Sequence, residues 1–123
     1  MSKKKVILYC RVAVYDQSED VLGSQVKFLK DYAKLQDYEI VEVIKESTGG
    51  IDWTRPGISR IYDIVDSRDD VDAVLAKNLI RYGRGPVTEI INFIENLNGK
   101  GVKVLTVENG DLQNALPILK AEL

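Results

Sequence analysis

Val6 to Val12 constrains the fold of this chain more than any other segment. It is short and almost continuously apolar, which suits a strand covered on both faces, and such strands belong to parallel sheets flanked by helices. The downstream pattern agrees. Val21 to Tyr38 shows helical spacing, with Val21, Leu22, Phe28, Leu29, Tyr32, Ala33 and Leu35 mainly on one side and Lys27, Lys30, Asp31 and Lys34 on the other. Glu39 to Lys45 reads as a second strand, and Pro56 opens a helix whose inner face is Ile58, Ile61, Tyr62, Ile64 and Val65. Val71 to Ala76 is a third strand. Pro86 opens another helix with Ile90, Ile91, Phe93, Ile94 and Leu97 inward, and Gly99 and Gly101 end it. Val102 to Val107 is a fourth strand, and Asp111 to Leu123 is a weakly helical tail interrupted by Pro117. Strands alternating with helices predict one α/β domain over residues 1–123, with a mainly parallel sheet.

In such sheets the site lies at the carboxyl ends of the strands. The loop after the first strand, the Glu46–Arg55 loop and the Lys77–Arg84 loop all leave from that edge. Arg11, Arg55, Arg81 and Arg84 sit on or beside them, in a chain of net charge -2. Guanidinium groups bind phosphate oxygens two at a time, so the cluster predicts a phosphate-sized anion. Trp53 looks exposed on the middle loop, where packing against the neighbouring helix is the default. Glu46 reads as a solvated or capping carboxylate, and Lys77 as a solvated loop lysine.

Composition narrows the chemistry. The chain has no histidine, so a histidine base is excluded, and its one cysteine, Cys10, lies in an apolar run and reads as buried and inert. A transition-metal site is not expected. No apolar run reaches the length of a membrane span, and no cleavage site follows Lys3, Lys4 and Lys5, so the cytoplasm is the expected location. A pI near 5.2 argues against a broad basic stripe, so any DNA contact must be local and carried by a few arginines. Neither a P-loop nor a Gly-x-Gly-x-x-Gly turn follows a strand. A phospho-acceptor receiver shares the architecture but needs acidic residues after the first strand, where this chain has Arg11.

Tyr9-Cys10-Arg11-Val12-Ala13-Val14-Tyr15-Asp16-Gln17, then Gln25, Arg55-Pro56-Gly57 and Arg81-Tyr82-Gly83-Arg84 occur in order along the chain. Together they resemble the catalytic domain of the serine recombinases, the resolvase/invertase family with its large-integrase branch. The resemblance implies a three-layer resolvase-like fold with a mainly parallel central sheet of four or five strands. It also implies a serine on the first loop that attacks a DNA phosphodiester and forms a 5′-phosphoserine link. Arg11, Arg81 and Arg84 would stabilise the transition-state charge, Arg55 would support them, and Gln17 and Gln25 would orient the site. No metal or cofactor is implied. The implied partners are DNA and further copies of the chain, with no membrane.

The departures carry equal information. Ala13 holds the nucleophile position, so the chain as written is expected not to cleave. Gly49 stands where the second loop of the family has a serine, and Ile80 where it has a polar residue. Losses at positions 13, 49 and 80 together favour natural decay over a single introduced change. The tail, Asp111 to Leu123, is a stub beside the long dimerisation helix of the family. Two functions compete: a recombinase catalytic domain inactive in this form, and a non-catalytic homologue acting as a DNA-binding or regulatory module.

Overall fold

The computed structural model describes residues 3–13 and 19–123. A five-stranded sheet in the order β2-β1-β3-β4-β5 forms the middle layer, built from β1 (Lys5–Val12), β2 (Glu39–Ser47), β3 (Ala73–Ala76), β4 (Lys103–Thr106) and β5 (Gly110–Asp111). β1 runs parallel to both β2 and β3, and β3 parallel to β4, while the two-residue β5 closes the sheet antiparallel to β4. The helices are α1 (Glu19–Leu35), α2 (Pro56–Ser67), α3 (Leu79–Tyr82), α4 (Val87–Gly99) and α5 (Leu116–Lys120). This is the three-layer, mainly parallel arrangement expected.

The period-two alternation of β1 divides the core. Val6, Leu8 and Cys10 point to α1 and meet Leu29 and Ala33. Ile7 and Tyr9 point the other way, to Ile58, Ile61 and Ile64 of α2 and Ile91, Ile94 and Leu97 of α4. Burying each such Ile or Leu contributes roughly 1.5–3 kcal/mol, which is why β1 carries no charged residue between Lys5 and Arg11.

Several boundaries differ from the sequence reading for local reasons. α1 stops at Leu35 rather than Tyr38, because Asp37 takes a left-handed φ of 59°. The amides of Asp37 and Tyr38 then bond back to Lys34 O and Ala33 O, at 3.1 and 2.9 Å. The inward stripe of α1 also shifts. Leu29 and Ala33 are buried, but Val21, Phe28 and Leu35, expected inside, are exposed. The tail folds as the short β5, a 3-10 turn over Leu112–Ala115 and α5, with Leu112 and Leu119 buried against α4. The Lys77–Arg84 segment, read as loop, holds the one-turn helix α3.

Candidate functional site

β1 lies between β2 and β3, so the chain leaves it at the point where the strand order reverses. In an α/β sheet that point opens a crevice beyond the strand ends. Ala13, half-buried, is the first residue past β1. Thr48 continues from β2, its amide bonding to Val12 O at 3.0 Å, and α3 follows β3. Gln17 lies outside the described residues.

Arg11 is buried, and carbonyl groups engage its guanidinium. Nε donates to Arg81 O (2.9 Å), Nη1 to Thr48 O (2.8 Å) and Nη2 to Ile80 O (2.5 Å). One side chain therefore ties the loop after β2 to α3. Its own backbone is held in turn. The amide donates to Gln25 Oε1 (3.0 Å), and the carbonyl accepts from Gln25 Nε2 (3.3 Å) and Arg81 Nη1 (2.9 Å). Gln25 is buried, and it docks α1 onto the end of β1 by mimicking a strand partner.

Arg55 is 2% exposed and Glu46 8%. Arg55 Nε donates to Glu46 Oε1 (3.2 Å) and to the Tyr9 hydroxyl (2.9 Å), while that hydroxyl donates to the same Glu46 oxygen at 2.5 Å. Arg55 Nη1 donates to Asp52 O (2.8 Å) and Nη2 to Tyr82 O. The second oxygen of Glu46 accepts from Gly57 N at 2.6 Å and so caps α2, which has no side-chain cap of its own. A buried ion pair persists only when its remaining donors and acceptors are met, and here they are. Glu46 is thus the capping carboxylate of the sequence reading, but it is not solvated.

Trp53 is half-buried, not exposed. Its Nε1 donates to Gly85 O (3.0 Å), its ring packs on Phe93 of α4 at 5.5 Å between centroids, and Arg55 Cζ stands 5.2 Å from that ring. Tyr9 stacks on Tyr82 at 5.9 Å.

The remaining two arginines differ. Arg84 is exposed, with its amide bonded to Gly50 O at 2.8 Å. Arg81 is half-buried, and its Nε has no hydrogen-bond partner among the described residues. All four cluster at one edge. A Cβ built on Gly50 would lie 2.8 Å from Arg11 Nη2 and 2.9 Å from Arg84 Cγ, so both side chains pack against that one point. Burial, and then the charges of Arg55, Arg81 and Arg84, hold Arg11 below its ordinary pKa. Glu46 balances Arg55, and an anion would balance the others. The expectation of four guanidiniums facing one phosphate divides accordingly. Arg11 and Arg55 spend their donors on bracing the walls, while Arg81 Nε has no acceptor among the described residues and Arg84 is exposed.

Sequence reasoning passed over Tyr9, Tyr82 and the Glu46–Arg55 pair as a structural network. The available signals were a phenol in an otherwise apolar strand and a carboxylate at the carboxyl end of the neighbouring one. The buried hydroxyls and thiol have a consequence in alkali. Burial raises Tyr9 and Tyr82 well above the ordinary phenol range and pushes Cys10 up to about 12. Between the unfolded and folded values the unfolded chain releases a proton that the folded chain keeps. Stability is therefore full below about pH 8.5 and falls as pH rises, by up to about 1.4 kcal/mol per pH unit for each group. Urea midpoints measured from pH 8 to 11 are expected to decline steadily, and a flat profile would contradict this burial.

The model of the family described as resolvase, N-terminal domain, matches residues 6–119. Among solved structures, the N-terminal catalytic domain of TP901-1 integrase superposes with a TM-score of 0.81 at 20% identity, covering 97% of this chain and 93% of that one. A resolvase family site-specific recombinase from Streptococcus pneumoniae gives 0.82 at 28% identity, with coverage of 98% and 85%. A serine recombinase from Sulfolobus solfataricus gives 0.69 at 26% identity, with coverage of 98% and 83%. No curated protein sequence matches the chain. Among the described residues, no helix is long and apolar enough to cross a membrane.

Proposed function

Because the chain belongs to the resolvase N-terminal domain family, we propose that it is a recombinase catalytic domain that grips a DNA phosphodiester without cutting it. One observation carries this reading. The Arg81 guanidinium reaches the end of β1, with Nη1 on Arg11 O at 2.9 Å, Arg84 packs beside Gly50 and Arg11 at the same edge, and the first residue past β1, Ala13, offers a methyl group. In serine-recombinase chemistry a hydroxyl oxygen attacks phosphorus, the 3′ oxygen leaves, and arginine charge offsets the negative charge that grows between them. In this reading the chain keeps the arginines and lacks the oxygen, so the bond to phosphorus does not form. Arg81 and Arg84 hold the phosphate, Arg11 and Arg55 fix the loops that carry them, and Gln25 fixes Arg11. Assembly with further copies of the chain belongs to the same proposal.

Ala13→Ser protein, incubated with a duplex carrying its cognate site and then denatured, is expected to run as a covalent protein–DNA adduct. The alanine parent is expected to give none. A second reading, a non-catalytic module that binds DNA or regulates an active relative, is favoured by the further departures Gly49 and Ile80. A folded Ala13→Ser protein that yields no adduct would decide for that module.

A further inference from the structure

A groove of about 400 Å³ runs beside the arginine cluster, between α1 and the segment that follows β3. Val21, Ser24, Gln25, Phe28, Lys77 and Arg81 line it. Its makeup is unusual for a surface groove. Phe28 is 42% exposed, and Lys77 Nζ sits 5.6 Å from the centre of its ring. Among the described residues Lys77 has no carboxylate partner, and Arg81 Nε has no acceptor. Gln25 Nε2 gives one hydrogen to Arg11 O, and its amide carries a second. Arg81 and Gln25 both bond to Arg11 O, so the groove opens directly from the phosphate site.

We propose that this groove is a subsite for one unstacked nucleotide adjoining the gripped phosphate. Its base lies on the face of Phe28, its phosphate meets Lys77 and Arg81, and Ser24 and Gln25 offer hydrogen bonds to the base edge. The proposal rests on the anion-site reading above and adds the neighbouring residue of the substrate. An aromatic face beside cations with no carboxylate partner among the described residues suits a nucleotide, because every base has a π-face and every nucleotide a phosphate. An acidic peptide would use the cations and leave the ring idle. The volume falls in the range of small-molecule pockets, enough for one nucleotide.

Two phosphodiesters of equal charge separate base from phosphate: dimethyl phosphate and the dinucleotide thymidylyl-thymidine. Titration of the isotope-labelled chain, followed by amide shifts, is expected to show the dinucleotide binding about tenfold more tightly. It should shift residues 24–28 and 77–81, whereas dimethyl phosphate should shift mainly residues 81–84. Phe28→Leu keeps the apolar bulk without the π-face and is expected to abolish the tenfold gain while leaving dimethyl phosphate unaffected. Phe28→Tyr is expected to retain the gain. Equal affinities for the two diesters, or a gain that survives Phe28→Leu, would overturn the subsite and leave the phosphate site standing. If neither diester perturbs residues 81–84, the phosphate reading fails and the subsite with it.

Discussion

Replacing Glu46 with alanine is expected to destabilise the chain by about 3–5 kcal/mol and to lower Tm by roughly 10–20 °C. The cause is the charge left behind. Arg55 is almost fully enclosed, and Glu46 is the carboxylate that pairs with it. Removing that carboxylate strands a guanidinium in the interior, takes an acceptor from the Tyr9 hydroxyl and uncaps α2 at Gly57. The cost of an unpaired buried charge exceeds what the pair contributes when intact, because desolvation of the survivor is no longer offset. A double replacement, Glu46→Leu with Arg55→Met, is therefore expected to lose less than Glu46→Ala alone. Thermal unfolding of the three proteins, followed by circular dichroism, tests both statements. A Glu46→Ala midpoint within a few degrees of the parent would mean that Arg55 is not buried as described.

Gly83→Ala is expected to cost about 1–3 kcal/mol, the range for overpacking a filled site. A methyl group at position 83 would overlap Cζ2 and Cη2 of the Trp53 ring. That ring cannot retreat easily. Phe93 packs against it, Gly85 O holds its Nε1, and Arg55 lies near its face. The loop bearing Arg81 and Arg84 must move instead. Trp53 is the one tryptophan of the chain, so its emission reports the displacement without interference. A red shift together with a lower Tm is the expected result; parental emission and Tm would show that the ring has room to yield.

The layered fold was legible because its signal is local. Apolar stripes in β1, α2 and α4 are set by spacing alone, and Ile58, Ile61, Ile90, Phe93 and Leu97 are buried as their periods predict. β5 and α3 carried no such signal: each spans four residues or fewer and depends on contacts with the rest of the molecule. The stripe of α1 misled at Phe28 and Val21, because the helix turns Leu29 and Ala33 to the sheet and leaves these two on its exposed side. At the site, the arginines were identified but their tasks were not. Residue type gives the charge, whereas the direction of a guanidinium depends on which carbonyls the tertiary fold brings near. Glu46 was ambiguous for the same reason, since a carboxylate at a strand end reads as solvated until a buried cation is found opposite it. Trp53 sat in a polar loop, and residues distant in sequence, Gly83, Gly85 and Phe93, cover it.

Arg11 binds three carbonyl oxygens from two separate segments, and Arg55 bridges four elements. Both are therefore needed for the chain to hold its shape, whatever side chain stands at position 13. Descendants that abandon cleavage would go on keeping these arginines for architectural reasons. A motif search that counts them as a mark of activity would then mistake the masonry for the machine.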